Sequence, residues 1–359
     1  MWIQFTLFVT ALAAKPKTVE EFLAQPVEKH VEQLTGQAFV DYINEHQSFY
    51  RAEYSPETEA RMKSRLMDLK YGTKPKDVEA SSHVVHDVTP PESFDARTYW
   101  PECKSIGIIR DQSECGSCWA VSSASAMSDQ LCVQSNGTIK VVLSDTDILS
   151  CCKGECGAGC WGGWPLKAYK WVERNGVVTG GTYRQKNTCK PYPFYPCGQH
   201  EHIPYYGPCP KEWWETPKCR KRCQLDYNKS YEEDKYFALI NFSQLMSSSS
   251  NLAKRSYDVP MNETSIRQEI FKNGPVAAIF TVYEDFIHYK KGIYVQKWGQ
   301  ATGSHAVRII GWGVEDNLKY WLVANSMNTD WGENGFFRIL RGFNHCNIEF
   351  MVVGGLMKT

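Results

Sequence analysis

The sequence predicts an α+β globular protein in two parts: a helix-rich leader without cysteine, and a body held by disulfides. Three observations carry this expectation. The 359 residues exceed one ordinary domain of about 150 residues. Hydrophobic residues make up 42% and charged ones 22%, a composition that buries a core and is not that of a disordered chain. All 14 cysteines lie between Cys103 and Cys346, so everything before them is compositionally separate. Forty basic residues balance 40 acidic ones, and bulk charge therefore points to neither a nucleic-acid nor an anionic-membrane partner. Beyond the N-terminus there is no apolar run of the roughly 18 residues that a membrane span needs.

Residues 1–14 read as a short secretory signal. Trp2 to Ala13 is apolar or neutral, and Ala11, Ala13 and Ala14 are the small residues that signal cleavage needs, although no Lys or Arg precedes the stretch. Cysteine density agrees with an oxidising compartment, as do sequons at Asn136, Asn228, Asn241 and Asn262. The destination expected is secreted or lysosomal. Residues 15–90 form the leader, in which Phe39, Tyr42 and Ile43, and then Met62, Leu66 and Leu69, recur at helical spacing. Pro90-Pro91 ends helical character and marks a linker. A removable pro-segment ahead of a 91–359 domain is the arrangement expected; a helical domain that stays attached is the alternative.

An even cysteine count in such a chain implies a disulfide framework whose pairing spacing does not reveal. The run Cys151, Cys152, Cys156, Cys160 is glycine-rich and has no interleaved histidine, which argues against a metal site. Cys189, Cys197, Cys209, Cys219 and Cys223 span a long loop rich in Pro, Tyr and Trp that needs covalent pinning.

The sharpest chemical signal is Gln112-Ser113-Glu114-Cys115-Gly116-Ser117-Cys118-Trp119-Ala120, followed by a helix-prone run rich in Ala and Ser. Cys118 would start that helix, where unpaired N–H groups and the macrodipole favour a thiolate. A nucleophilic thiol needs a base, and the base needs an orienting group. Of nine histidines, His305 sits in a β-branched strand ending in a glycine turn, and Asn325 ends the next strand-like run. A dithiol redox role for Cys115 and Cys118 would want a βαβ context, and a glycine- and cysteine-rich region follows instead.

With these motifs in view, residues 90–356 resemble papain-family cysteine proteases, specifically the cathepsin B-like type of nematodes. The likeness runs through Ser93-Phe94-Asp95-Ala96-Arg97, the Cys118 block, Cys151-Cys152, Asn273-Gly274-Pro275-Val276, the His305 strand and Asn325-Ser326, with Phe39 to Ile43 resembling the cathepsin B pro-segment. His305 and Asn325 follow Cys118 at more than the ~130–150 residues of the papain pattern. An occluding-loop-like insertion at 189–223 accounts for the surplus. The resemblance implies a papain-like two-lobe fold, one lobe helical and one β-barrel-like. It implies the bridges Cys103–Cys132, Cys115–Cys160, Cys151–Cys219, Cys152–Cys156, Cys189–Cys223 and Cys197–Cys209, with Cys118 and Cys346 free.

It further implies a cysteine endopeptidase made as a zymogen. Cys118 is expected as nucleophile, His305 as base, Asn325 as orienting group and Gln112 as oxyanion donor; Gly162, Gly163, Met351, His200 and His202 are expected to contact substrate. No metal or organic cofactor is expected. The partners expected are protein and peptide substrates, the pro-segment as inhibitor, and cystatin-type inhibitors. Three departures stand out. Met327 replaces the Trp that shields the Asn–His bond in the family, Met351 replaces a glutamate at the base of the S2 pocket, and residues 237–253 look like an insertion. Met327 also supports a rival reading, an inactive homologue that acts by binding. In the loop, Glu201 splits His200 from His202, which predicts weakened dipeptidyl carboxypeptidase activity. Asp111 is expected to pair with one of these histidines, whereas Asp330 meets no arginine between Cys197 and Cys209, so a second latch is expected to be absent.

Overall fold

The computed structural model describes residues 15–16, 18–76, 87–238 and 256–359. The expected signal, the stretch just before the linker, and all but Phe237 and Ala238 of the expected 237–253 insertion lie outside these residues.

Leader residues fold as α1 (Val19–Ala24), α2 (Gly36–His46), β1 (Tyr50–Ala52) and α3 (Pro56–Arg65). Side-chain oxygens of Thr18 and Ser55 cap α1 and α3 by accepting from Glu21 N–H and Thr58 N–H, and a proline opens α3, where its missing donor costs nothing. Phe39, Val40 and Ile43 form the buried face of α2, as their spacing predicts. The second stripe is corrected. Met62 is buried on α3, but the helix stops at Arg65 and Leu69 is 46% exposed. Beyond Arg65 the chain extends so that Met67 can exchange both backbone hydrogen bonds with Ser304, at 2.9 Å each, and tertiary pairing overrides helical period there.

The body begins with β2 (Phe94–Asp95) and α4 (Ala96–Tyr99) and continues through the buried helix α5 (Cys118–Gln134). Next come α6 (Asp145–Cys151) and α7 (Pro165–Asn175). The strand-rich part contains β3 (Ser256–Val259), α8 (Glu263–Asn273), β4 (Val276–Tyr283), α9 (Glu284–Ile287) and β5 (Tyr289–Tyr294). It ends with β6 (Ala301–Glu315), β7 (Leu318–Ala324), β8 (Phe336–Leu340) and β9 (Met351–Gly355). The strands form one sheet in the order β1-β5-β8-β7-β6-β4-β9-β3, with β2 paired to β6, so the leader's β1 lengthens the body's sheet at one edge. β2 lies so close that a Cβ at Gly311 would meet Phe94 O at 2.2 Å, which explains the glycine in the middle of β6.

Two hydrophobic clusters correspond to the two expected lobes. One gathers the sheet with leader residues Phe22, Phe39 and Ile43; the other surrounds α5 and takes in leader residues Met67 and Tyr71. All six expected disulfides are formed, and Cys118 and Cys346 are free. A buried ion pair joins the lobes: Arg308 of β6 donates to Asp129 of α5 at 2.5 Å and also to the carbonyls of Ile106 and Ile108. Removing one member strands a charge out of water. Asp129→Ala should therefore destabilise the fold by about 3–5 kcal/mol, read as a lowered denaturant midpoint with unchanged slope.

Candidate active site

Cys118 opens α5, and the turn before it is built for close approach. Gly116 N–H donates to Cys160 O at 2.8 Å, and a Cβ on Gly116 would lie 2.5 Å from that oxygen. The Cys115–Cys160 disulfide closes the turn, so Cys115 is not available as a redox partner for Cys118. Trp119 anchors the helix start by donating from its indole to Gly159 O at 3.0 Å.

Across the lobe boundary, His305 and Ala306 lie on β6. The Ala306 N–H donates to Cys118 Sγ at 3.4 Å. His305 Nε2 meets Asn325 Oδ1 at 2.7 Å, and its Nδ1 is buried with no hydrogen-bond partner. Asn325 follows the end of β7, and its Oδ1 also accepts from Ser326 N–H at 2.8 Å. Ser326 donates from its hydroxyl to Gln112 Oε1 at 2.6 Å. The four residues singled out from sequence, Gln112, Cys118, His305 and Asn325, thus come together from three separate stretches of chain.

Leader atoms fill this site. Gln112 Nε2 donates to Arg65 O at 2.9 Å as well as to Cys115 O at 2.8 Å. Gly162, with φ of +122°, offers a face where a Cβ would strike the Tyr71 ring at 2.4 Å; at Gly163 it would meet Trp119 at 2.7 Å. Met351, at the start of β9, is buried in one cluster with Met67 and Tyr71. Of the loop histidines, His200 is buried and His202 is exposed beside Glu201 at 3.7 Å. The expectation for Asp330 is corrected: His200 Nδ1 lies 2.6 Å from Asp330, while Nε2 lies 3.5 Å from Asp111. One histidine serves both carboxylates where an arginine had been sought.

Sequence reasoning missed Arg65 altogether. Its guanidinium, 1% exposed, faces Asp111 at 3.2 Å and Glu114 at 3.6 Å, and donates to Met327 Sδ at 3.8 Å. No local pattern signals such a contact, because its partners are distant in sequence and arrive through folding.

Burial sets the electrostatics of both groups. It pushes the Cys118 thiol up to about 12, against the pull of the backbone N–H groups of Ala306, Trp119 and Cys118 itself. It pushes the His305 imidazole down to about 4, with Asn325 opposing and the Arg65 charge assisting. Burial thus favours the neutral form of both the thiol and the imidazole.

Residues 90–356 match the papain family cysteine proteases, and the chain belongs to that family. It is 44% identical over 354 residues to a gut-specific cysteine proteinase of Caenorhabditis elegans, covering 98% of this chain and 99% of that one. It is 43% identical over 342 residues to cathepsin B-like cysteine proteinase 1 of Ostertagia ostertagi, covering 94% of each. Among solved structures, procathepsin B S9 from Trypanosoma congolense superposes with a TM-score of 0.73 at 33% identity, over 91% of this chain and 100% of that one. By these likenesses the protein is a cysteine peptidase of the cathepsin B-like kind.

The neutral, buried thiol has a direct consequence. Alkylation of Cys118 by iodoacetamide at pH 7 should run more than about 100-fold faster after removal of the leader than in the full chain, since the thiolate is the reactive form. Mass mapping of the labelled peptide at several times measures the ratio.

Proposed function

We propose that the chain is a zymogen whose processed form hydrolyses peptide bonds through an acyl-enzyme on Cys118. The carrying observation is Cys118 Sγ accepting from Ala306 N–H, the residue after His305, with His305 paired to Asn325 and Gln112 already donating to a peptide carbonyl of the leader. The freed thiolate attacks the scissile carbonyl carbon, and Gln112 with the Cys118 N–H donates to the oxyanion that forms. The C–N bond then breaks as His305 gives its proton to the leaving amine. Water, deprotonated by His305, hydrolyses the thioester, releases the acid and restores the thiol. Asn325 keeps the ring oriented. Met327 is buried beside Arg65, and Gln112, Cys118, His305 and Asn325 are all present, which weighs against the binding-only alternative.

Residues 1–14 as signal, 15–90 as pro-segment and 91–359 as peptidase domain complete the reading. Six disulfides and exposed sequons at Asn136, Asn228 and Asn262 support passage through the secretory pathway to a lysosomal or extracellular site. No helix among the described residues is long and apolar enough to cross a membrane. A cleft that binds its own leader is also the surface a cystatin-type inhibitor would take.

Acid supplies a release. His288 lies beneath the leader, edge-on to Phe39 at 6.2 Å and tilted against Tyr54 at 5.7 Å. Burial lowers its pKa from 6.5; Glu59 and Glu284 oppose the shift and Lys63 assists it. Glu53, Lys290 and Asp330 line the same cavity of ≈ 190 Å³. A depressed pKa means that the docked state binds fewer protons, so docking is strongest above 6.5 and weakens as pH falls below it. Full-length protein should be latent at pH 7 and activate on acidification, and His288→Leu should move that midpoint about half a unit lower. Equal activity of full-length and processed protein at equal concentration would refute the zymogen reading.

Met351 leaves the apolar pocket without a charge to pair a buried guanidinium. Processed enzyme should prefer Phe-Arg or Leu-Arg over Arg-Arg substrates, and Met351→Glu should raise the Arg-Arg to Phe-Arg ratio of kcat/KM about tenfold.

His200 ties the 189–223 loop to Asp330 and lies near Asp111, and Glu201 beside His202 would compete with a substrate's terminal carboxylate. Endopeptidase activity should therefore exceed dipeptide release. His200→Ala should raise cleavage of an internal bond severalfold, followed by mass spectrometry of an unlabelled peptide.

A further inference from the structure

Trp161 is 63% exposed with the leader docked, whereas the neighbouring Trp164 is covered by the Tyr71 ring at 4.7 Å and donates to Thr73 O at 2.9 Å. A solvent-facing indole next to the glycine floor of the cleft has no packing explanation. Its one aromatic neighbour is Trp213, with ring centroids 4.5 Å apart and planes at 52°. Trp213 belongs to the cysteine loop, yet it is held firmly against the cleft. Three residues on, Thr216 Oγ1 accepts from Cys160 N–H at 2.9 Å, fastening this stretch to the turn that carries Trp161. On its other side Trp214 stacks on Phe194 at 5.3 Å and 6°, donates from its ring to Ser113 Oγ at 3.1 Å, and donates from its N–H to Glu114 O. Two indoles are thus fixed by the framework while one ring stays open to solvent.

We propose that Trp161 and Trp213 form an aromatic platform on the rim of the cleft. It selects substrates with an aromatic side chain next to the residue that fills the Met351 pocket. The inference rests on the peptidase reading above. Reach is supplied by the chain itself: Trp161 adjoins Gly162, and Gly162 is where leader residues Met67 and Tyr71 press on the floor. A peptide lying over Gly162 must pass the indole of the preceding residue. The choice of an aromatic over a cationic partner follows from the surrounding charges. Lys211, Glu212, Glu215 and Lys218 are all exposed and of mixed sign, so they set up no field that favours a cation. A third ring set against two tilted indoles gains edge-to-face contact beyond its buried area.

The test uses processed enzyme, with active sites titrated by an epoxide thiol probe. Peptides hold leucine at the Met351 pocket and carry phenylalanine, arginine or alanine at each adjoining position in turn. At one of these positions the phenylalanine to alanine ratio of kcat/KM should be about two- to tenfold. Trp161→Ala and Trp213→Ala should each bring that ratio close to one, mainly through KM, and Trp161→Phe should keep most of it. An unchanged ratio in both alanine variants would overturn the platform, and so would loss of an arginine preference in place of a phenylalanine one. Should the processed protein cleave none of the peptides, the peptidase reading itself fails, an outcome separate from cleavage of all of them without discrimination.

Discussion

The closed state turns on one buried guanidinium. Arg65 ends α3, and its charge lies out of water between Asp111 and Glu114, both of the body. Breaking such a pair by removing one partner costs about 3–5 kcal/mol, because the other charge is left stranded. The same residue presents its carbonyl to Gln112, rests on the Met327 sulfur, and helps keep His305 neutral. Docking of the leader, occupancy of the Gln112 amide and the lowered pKa of His305 therefore share one residue. Asp111 is shared with His200, so the leader and the cysteine loop draw on a common carboxylate.

The site itself is assembled by a different contact. Cys118 and Asp129 lie on one helix, His305 and Arg308 on one strand, and the Arg308–Asp129 pair sets helix against strand. Ala306 N–H meeting Cys118 Sγ is the local result. This seam involves no leader residue, whereas Arg65 of the leader adds to the lowering of the His305 pKa. Framework and control are carried by separate residues.

What could be read beforehand follows the same division. The Cys118 helix, the His305 strand and the apolar face of α2 were legible because each is local: a periodic pattern or a compact motif sets it. The disulfide pairs were reachable only through family likeness, since spacing leaves the pairing open. Three things were not legible. The end of α3 at Arg65 depends on Met67 pairing with Ser304, far along the chain. The role of Asp330 hung on a search for arginine, when a histidine reached by folding of the loop does the pairing. The shifts of the thiol and imidazole toward their neutral forms come from burial in the folded chain, which no composition of the Cys118 block encodes.

Burial also measures how firmly the chemistry is held off. Raising Cys118 from 9.0 to about 12 corresponds to roughly 4 kcal/mol against the thiolate, at about 1.36 kcal/mol per unit. The backbone N–H groups at the start of α5 already favour the anion in the same state and are outweighed by desolvation. The same helix terminus therefore favours the thiolate without sufficing, in this buried state, to form it. Donors that favour the anion and burial that opposes it act on one sulfur atom, so solvent access, and not a change of backbone, is the variable on which its ionisation depends.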